Sequence, residues 1–152
     1  MKNFFICGQI KFDKHKQIKI IIPNDLLNYF NGLNMFLNSG LTYKKNQVDK
    51  IIDFNQGLIL CGGGDISKIK KNKENVLRDK FEKFILKKFI EKNKPVLCIC
   101  RGFQLLSSIN KGKFIKSSLH VRTKHLIKIE NNSKYINYKK LNINSYHNYN
   151  IT

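Results

Sequence analysis

The stretch VLCICRGFQLL, residues 96–106, decides the fold of this chain. The residues KPVLCIC, 94–100, are typical of a short buried strand, and RGFQLLSSIN, from Arg101 onward, is typical of a helix. Cys100 lies at the junction. A cysteine in such a strand-to-helix turn is either a packed side chain or a nucleophile held in a strained backbone conformation.

A second special turn follows another apolar run, in GLILCGGGDIS, residues 57–67. Between the two turns lies Lys73–Asn93, where apolar residues keep helical spacing and Arg78 and Glu82 form an opposite-charge pair one turn apart. The order strand, helix, strand, helix predicts a parallel sheet with right-handed crossovers. Ligands bind at the carboxyl edge of such sheets, and both turns fall there.

The flanking sequence predicts further elements of one α/β domain covering residues 1–152. A helix is expected over residues 24–40, with Asn24 as its cap and Gly40 at its end. A polar loop is expected at residues 130–140. Strands are expected at residues 3–10, 17–22, 125–130 and 140–151.

The residues around Cys100 suit a nucleophile. Gly102 leaves room for the helix to pack closely on the strand. The helix N-terminus points toward the thiol, and its dipole favours the thiolate. The backbone N–H of Arg101 and one from the glycine loop are placed to stabilise an oxyanion. The two turns therefore predict acyl transfer through a cysteine.

The net charge of +19 has two interpretations. One is binding to nucleic acid or to a membrane. The other is compositional drift, because lysines are spread along the chain and only three arginines occur, Arg78, Arg101 and Arg122. We favour drift and expect neither nucleic acid nor membrane as a partner, although the charge favours an anionic substrate.

The cysteines and the N-terminal residues bear on cofactor and location. Cys7, Cys61, Cys98 and Cys100 lack the spacing of a zinc site, and we expect no metal and no organic cofactor. No apolar run is long enough for a membrane span, and no signal peptide is recognisable. A cytoplasmic location is therefore expected.

Three segments carry a resemblance to a known family: GLILCGGGDIS, then RDKFEKFILKKFIEKNKPVLCICRGFQLL, then NINSYHNYNI. In this order they resemble the class I glutamine amidotransferase-like superfamily, above all its γ-glutamyl hydrolase branch with the γ-glutamyl-γ-aminobutyrate hydrolases. The resemblance implies a flavodoxin-like three-layer sandwich with a mostly parallel sheet. It also implies hydrolysis of a γ-glutamyl C–N bond in a small-molecule substrate.

A narrower similarity lies in HVRTKHLIKI, residues 120–129, together with NSYHNYNI. These segments are similar to γ-glutamyl-CDP-amidate hydrolases, which release a γ-glutamyl group from a nucleotide-linked phosphoramidate in surface-polysaccharide modification. Under this interpretation four residues are candidates for phosphate contacts, and a solvated loop is the alternative. They are His120, Arg122, Lys124 and His125.

The resemblance also implies roles for individual residues. Cys100 attacks the γ-glutamyl carbonyl and forms a thioester, and the backbone N–H groups of Gly63 and Arg101 hold the oxyanion. The residues implied in substrate binding are Gly62, Gly64, Asp65, Gln104, Ser145, Tyr146 and His147.

Some features depart from the family pattern. Cys98 stands where the family has glycine, and Cys61 stands where it often has proline or serine. The family takes its catalytic histidine from a His-Pro-Glu-like motif beyond the NSYHN strand, and His147 does not correspond to it. No such motif occurs in the 152 residues. We therefore expect the C-terminal elements of the fold to be missing.

Three functions remain open. The first is a cysteine-dependent γ-glutamyl hydrolase. The second is a glutaminase subunit that passes ammonia to a synthetase, or works beside a nucleotidyltransferase partner. The third is an inactive remnant, because without a base and an acid the thiol is not activated and the leaving amine is not protonated.

Overall fold

The computed structural model describes residues 2–129 and 138–152. They belong to two compact units, Met1–Asn110 and Lys111–Thr152. Most of the polar loop predicted at residues 130–140 lies outside the described residues. The assignment of residues 1–152 to a single domain stays a prediction.

The first unit contains six strands and four helices among its described residues. The strands are β1 (Lys2–Cys7), β2 (Gln9–Phe12), β3 (Ile18–Ile21), β4 (Met35–Asn38), β5 (Gly57–Leu60) and β6 (Val96–Cys98). The helices are α1 (Asn24–Gly32), α2 (Lys45–Phe54), α3 (Lys73–Glu91) and α4 (Arg101–Ile109). Four strands form a parallel sheet in the order β4-β1-β5-β6, and β2 and β3 form an antiparallel pair.

The strand order confirms the predicted flavodoxin-like fold. Counted among the parallel strands, the order is second, first, third, fourth, which is the doubly wound arrangement. Helices cover both faces, because neighbouring strand residues point to opposite sides. Phe5 meets Phe81 of α3 with ring centroids 6.4 Å apart, and Ile6 packs with Phe30 of α1. The result is a three-layer sandwich.

Strand β5 brings the two special turns to one edge of the sheet. All four of its residues are buried, as expected for a parallel strand covered on both faces. It pairs with β6, with Leu60 opposite Cys98. The glycine loop after Leu60 and the turn at Cys100 therefore leave the same edge from neighbouring strands, as the sequence predicts.

The helix predicted over residues 24–40 is wrong in its second half. Helix α1 ends at Gly32, and Asn34 adopts a φ of 56°. Residues Met35–Asn38 then form β4, the edge strand beside β1. Their apolar run fits either a helix or a strand, and the available hydrogen bonds along β1 decide between them.

The strand predicted over residues 3–10 is two strands that separate at Gly8. A side chain at Gly8 would place its Cβ 2.7 Å from the Ile21 carbonyl oxygen, so only glycine lets the chain pass. Beyond it, β2 leaves the parallel sheet and pairs with β3. Helix α2, Lys45–Phe54, was not predicted.

The second unit is built from antiparallel strands. They are β7 (Phe114–Lys116), β8 (Val121–Lys128), β9 (Lys140–Tyr146) and β10 (Tyr149–Ile151). Strand β8 pairs with β9, and β7 pairs with β10. The strand predicted over residues 140–151 is thus interrupted, and the one predicted from His125 begins at Val121. Within the described parts of both units, helices long and apolar enough for a membrane span are absent.

Candidate active site

Cys100 occupies the strained turn that the sequence predicts. It has φ 50° and ψ −100°, immediately before the first residue of α4, and it is exposed. Residues other than glycine rarely adopt such φ and ψ values unless the surrounding structure imposes them. Gly102 permits the close approach of the two elements at this turn, because a Cβ there would lie 2.3 Å from the Leu60 carbonyl oxygen. Helix α4 therefore packs directly on β5 and leaves the thiol outside.

The glycine loop lies against this turn. A Cβ added to Gly62 would be 3.5 Å from the Cβ of Cys100. Gly63 and Gly64 have φ values of 91° and 73°, which L side chains rarely adopt. Both are exposed. The structure thus brings the predicted nucleophile and the predicted oxyanion loop together at the edge of the sheet.

The start of α4 leaves an amide beside the thiol. Arg101 is the first helical residue, so its N–H has no acceptor one turn earlier within the helix. The next amide is occupied, since Gly102 donates to the Ile99 carbonyl at 2.9 Å. The Arg101 amide is therefore well placed for the predicted oxyanion contact, which stays a prediction.

The Arg101 side chain makes contacts that the sequence did not indicate. It is fully buried, and its guanidinium donates to the carboxylates of Asp79 and Glu82 on α3. Its Nε donates to the Asp65 carbonyl oxygen at 3.3 Å. The residue after Cys100 is thus anchored in the interior, while its backbone N–H stays at the helix N-terminus.

A second buried arginine, Arg78 of α3, holds the glycine loop. Its Nη1 donates to the Gly63 carbonyl at 2.6 Å, and its Nη2 donates to those of Cys61 at 2.7 Å and Gly62 at 3.2 Å. Its Nε donates to Glu82 at 2.7 Å. The i,i+4 spacing indicated the pair with Glu82, but no sequence signal indicated the loop contacts.

These arginines and acids form a charge-balanced buried network. Two guanidinium groups face the carboxylates of Asp79 and Glu82, so the buried charges compensate each other. Asp79 also accepts a hydrogen bond from the Ser67 amide at 2.7 Å. Burial raises the pKa of Glu82, and the two guanidinium groups oppose that rise.

The other three thiols are less available than Cys100. Cys7 and Cys61 are buried, and Cys98 is half-buried at the end of β6. Burial raises the pKa of all three thiols, and the Glu82 charge adds to the rise for each of them. Raised values keep these thiols protonated at neutral pH, and a protonated thiol is a poor nucleophile.

Two further polar residues lie near the turns. Gln104 is buried on α4, and its Oε1 has no hydrogen-bond partner within the described residues. Gln9, which the sequence did not indicate, lies beside the loop, with its Oε1 3.6 Å from where a Gly63 Cβ would stand. An open depression beside the loop is lined by Gly62, Gly63, Ile99 and the first turns of α1.

The remaining predicted site residues lie in the second unit. Ser145 is buried on β9, with its Oγ 3.4 Å from His125 Nε2. Tyr146 is exposed at the end of β9. His147 follows it, with its Nδ1 3.0 Å from the Tyr149 carbonyl oxygen. Their predicted substrate contacts stay predictions.

Of the four phosphate candidates, His120 precedes β8, and the other three lie on β8 but do not share one face. His120 and His125 meet edge-on with ring centroids 4.7 Å apart, and His120 stacks on His147 at 4.9 Å. Lys124 is exposed, on the opposite side of the strand from His125. Arg122 is exposed at the irregularity in β8, with a φ of 55°.

The sequence pattern of the family described as Peptidase C26 matches residues 13–152. The chain belongs to the peptidase C26 family. This membership confirms the resemblance to class I glutamine amidotransferase-like proteins. The exposed cysteine in a strand-to-helix turn beside a glycine loop agrees with this membership.

Curated proteins that resemble this chain match either part or most of it. A glutamine amidotransferase-like protein of Rickettsia prowazekii is 34% identical over 85 residues, which are 50% of this chain and 30% of that protein. A γ-glutamyl-CDP-amidate hydrolase of Campylobacter jejuni is 25% identical over 150 residues, 96% of this chain and 68% of that protein. These names indicate a hydrolase- or amidotransferase-like protein.

A solved structure supports the same fold. The crystal structure of a glutamine amidotransferase from Thermotoga maritima superposes with a TM-score of 0.67 and 14% identity, covering 99% of this chain and 62% of that one. The chain therefore spans under two thirds of this neighbour, and the matched segment covers 30% of the Rickettsia relative.

Proposed function

We propose that this chain supplies the nucleophile and the oxyanion-binding groups of a cysteine-dependent γ-glutamyl hydrolase. The observation that carries the proposal is the exposed Cys100 at positive φ, at the N-terminus of α4 and against Gly62. A strained, accessible thiol beside free backbone amides is the arrangement that acyl transfer requires.

In the proposed reaction, the Cys100 sulfur attacks the γ-carbonyl carbon of a γ-glutamyl amide. The carbonyl oxygen takes the negative charge and accepts hydrogen bonds from the N–H groups of Gly63 and Arg101. The C–N bond then breaks, the amine leaves with a proton, and a thioester remains. Water attacks the thioester, the C–S bond breaks, and glutamate and the thiol are released.

The proton transfers are assigned to no residue of the first unit. Its one histidine, His15, lies in the turn between β2 and β3. These two strands are not part of the parallel sheet whose edge carries the two special turns. A base is still needed to deprotonate the attacking water. Cys100 and the two amides therefore account for nucleophilic attack and oxyanion stabilisation only.

The substrate proposed is a γ-glutamyl nucleotide phosphoramidate, used in surface-polysaccharide modification. The support is the similarity over 96% of the chain to a protein named γ-glutamyl-CDP-amidate hydrolase, together with the exposed cations Arg122 and Lys124. The net charge of +19 favours such an anionic molecule. Four free thiols suit a reducing cytoplasm, which we propose as the location.

The second candidate is a glutaminase subunit that supplies ammonia to a synthetase. Its support is that two relatives are named glutamine amidotransferase-like and that the solved neighbour is named a glutamine amidotransferase. Glutamine hydrolysis that occurs only when a co-purified synthetase is present would favour it. Hydrolysis of a γ-glutamyl phosphoramidate by the chain alone would favour the first candidate.

Mass spectrometry after incubation with a γ-glutamyl chloroketone tests the proposal. We expect one adduct on Cys100, protection by glutamine, no adduct in Cys100→Ala, and an unchanged adduct in Cys98→Ala, which removes the neighbouring thiol. Equal labelling of all four cysteines, or none, would show that no γ-glutamyl site is assembled. The inactive remnant would then be the better description.

A further inference from the structure

The inward face of α3 carries buried charges. Arg78, Asp79 and Glu82 are all buried, and their contacts go to the glycine loop and to Arg101. We infer that Arg78 is a positioning residue that sets the direction of the Gly63 N–H, the proposed oxyanion donor of the loop. The inference rests on the proposed function.

The geometry of a peptide group explains how a carbonyl contact sets an amide. In a trans peptide, the C=O of one residue and the N–H of the next lie in one plane and point in opposite directions. Arg78 binds the Gly62 carbonyl at 3.2 Å, so the Gly63 N–H points away from Arg78. The bond to the Gly63 carbonyl at 2.6 Å fixes the following peptide in the same way.

The loop has little else to hold this orientation. Gly63 and Gly64 are exposed and have no side chains to pack, and their φ values are ones that other residues rarely adopt. Glycine also populates the opposite φ readily, so the peptide planes are free to turn without an anchor. Three carbonyl contacts from one rigid guanidinium supply that anchor.

The same network also holds the second proposed donor. Glu82 accepts from Arg78 through one oxygen and from Arg101 through the other, so one carboxylate links the loop to the start of α4. Both proposed donors are thereby positioned from α3. Because these groups are buried, their hydrogen bonds are not weakened by competition with water.

The test measures labelling of Cys100 by the γ-glutamyl chloroketone at several concentrations. This reagent reacts through an oxyanion: the thiolate adds to the ketone carbon, and the sulfur then displaces chloride from the neighbouring carbon while the first C–S bond breaks and the carbonyl re-forms, which leaves a thioether. Saturation kinetics separates the binding constant from the maximal labelling rate. Iodoacetamide, which alkylates the same thiol without forming an oxyanion, reports thiol accessibility and reactivity alone.

We expect Arg78→Met to lower the maximal chloroketone rate by about 10- to 100-fold, because a displaced oxyanion donor is largely lost. The chloroketone binding constant and the iodoacetamide rate should change less than about threefold under the same argument. Lys88→Met is the matched control, since it removes an ion pair with Glu91 on the same helix, away from the loop. It should leave all three quantities unchanged.

A second variant covers the case in which Arg78→Met does not fold. Arg78→Met/Glu82→Gln removes one cation and one anion together and leaves an acceptor for Arg101, so the buried charge stays balanced. It should show the same selective loss of the chloroketone rate. Equal loss with chloroketone and iodoacetamide, or no loss at all, would overturn the positioning role while the proposed function stands. A wild-type chain that is not labelled by the chloroketone would overturn both.

Discussion

The two halves of α3 carry ion pairs of the same spacing in opposite surroundings. Arg78 and Glu82 are four residues apart, with nitrogen and oxygen 2.7 Å apart and side chains 3% and 0% exposed. Lys87 and Glu91 are also four residues apart, but the distance is 3.9 Å and the side chains are 77% and 43% exposed. One pair faces the edge of the sheet and the other faces solvent.

The difference shows that burial, and not spacing, decides what such a pair does. An exposed pair gains little, because water and salt screen it and two long side chains must be ordered. A buried pair is costly to form but also costly to break, because removing one partner leaves the other charge without compensation. Of these two ion pairs, the buried one contacts the glycine loop beside Cys100.

The largest expected effect comes from breaking the buried pair. Glu82→Ala leaves Arg78 with its loop carbonyls, and Arg101 with Asp79 and the Asp65 carbonyl, so two buried cations face one carboxylate. We expect it to lower the free energy of unfolding by about 3–5 kcal/mol. Urea unfolding followed by circular dichroism measures this.

The matched control for this experiment is Glu91→Ala, which removes the acceptor of the exposed pairs. Its urea midpoint should stay within error of the wild type. If the two variants lost the same stability, burial would not distinguish the two halves of α3.

An intermediate effect is expected from alkaline pH. The thiol pKa values of Cys7, Cys61 and Cys98 are raised, mainly by burial, so these thiols stay protonated in the folded chain where the unfolded chain ionises. Stability is fully present below the unfolded pKa of about 8.5 and falls as pH rises through the window above it. The fall is about 1.4 kcal/mol per pH unit for each such thiol.

The contribution of α3 to this pH dependence is testable separately. Because the Glu82 charge helps to raise the pKa of the Cys7, Cys61 and Cys98 thiols, Glu82→Gln should make the fall between pH 8 and pH 10 shallower by roughly a few tenths of a kcal/mol. Glu91→Gln, which removes the charge of the exposed pairs, should have the same stability as the wild type at each pH. A steeper fall in Glu82→Gln would contradict the assigned cause.

The smallest expected effect is that of salt on the exposed ion pairs of α3. Lys88 donates to Glu91 at 2.9 Å, and Lys88→Met should shift the urea midpoint by at most about one tenth of the shift for Glu82→Ala. In about 1 M NaCl that small shift should vanish, while the Glu82→Ala shift persists. A Lys88 effect that survives high salt would show that this pair is less exposed to solvent than its side chains indicate.

Local signals predicted the part of the molecule around Cys100 well. The apolar run before Cys100 determines a strand, and the apolar spacing after Arg101 determines a helix. Gly102 determines that the turn between them is tight. Where the local signals were ambiguous, the prediction failed. Residues 35–38 suit a helix or a strand, and they form β4 because they pair with β1. Strand pairing is a contact between distant residues, so a local pattern does not decide it.

The sequence by itself determined that two special turns follow parallel strands, that Cys100 lies between a strand and a helix, and that glycine is needed at positions 63, 64 and 102. These follow from backbone sterics, which depend on each residue and its neighbours. Only the tertiary structure decided that Arg78, Asp79 and Glu82 point inward and bind the loop and Arg101. A charged residue on a helix is normally solvated, and it becomes a buried anchor only when compensating groups from elsewhere in the fold surround it.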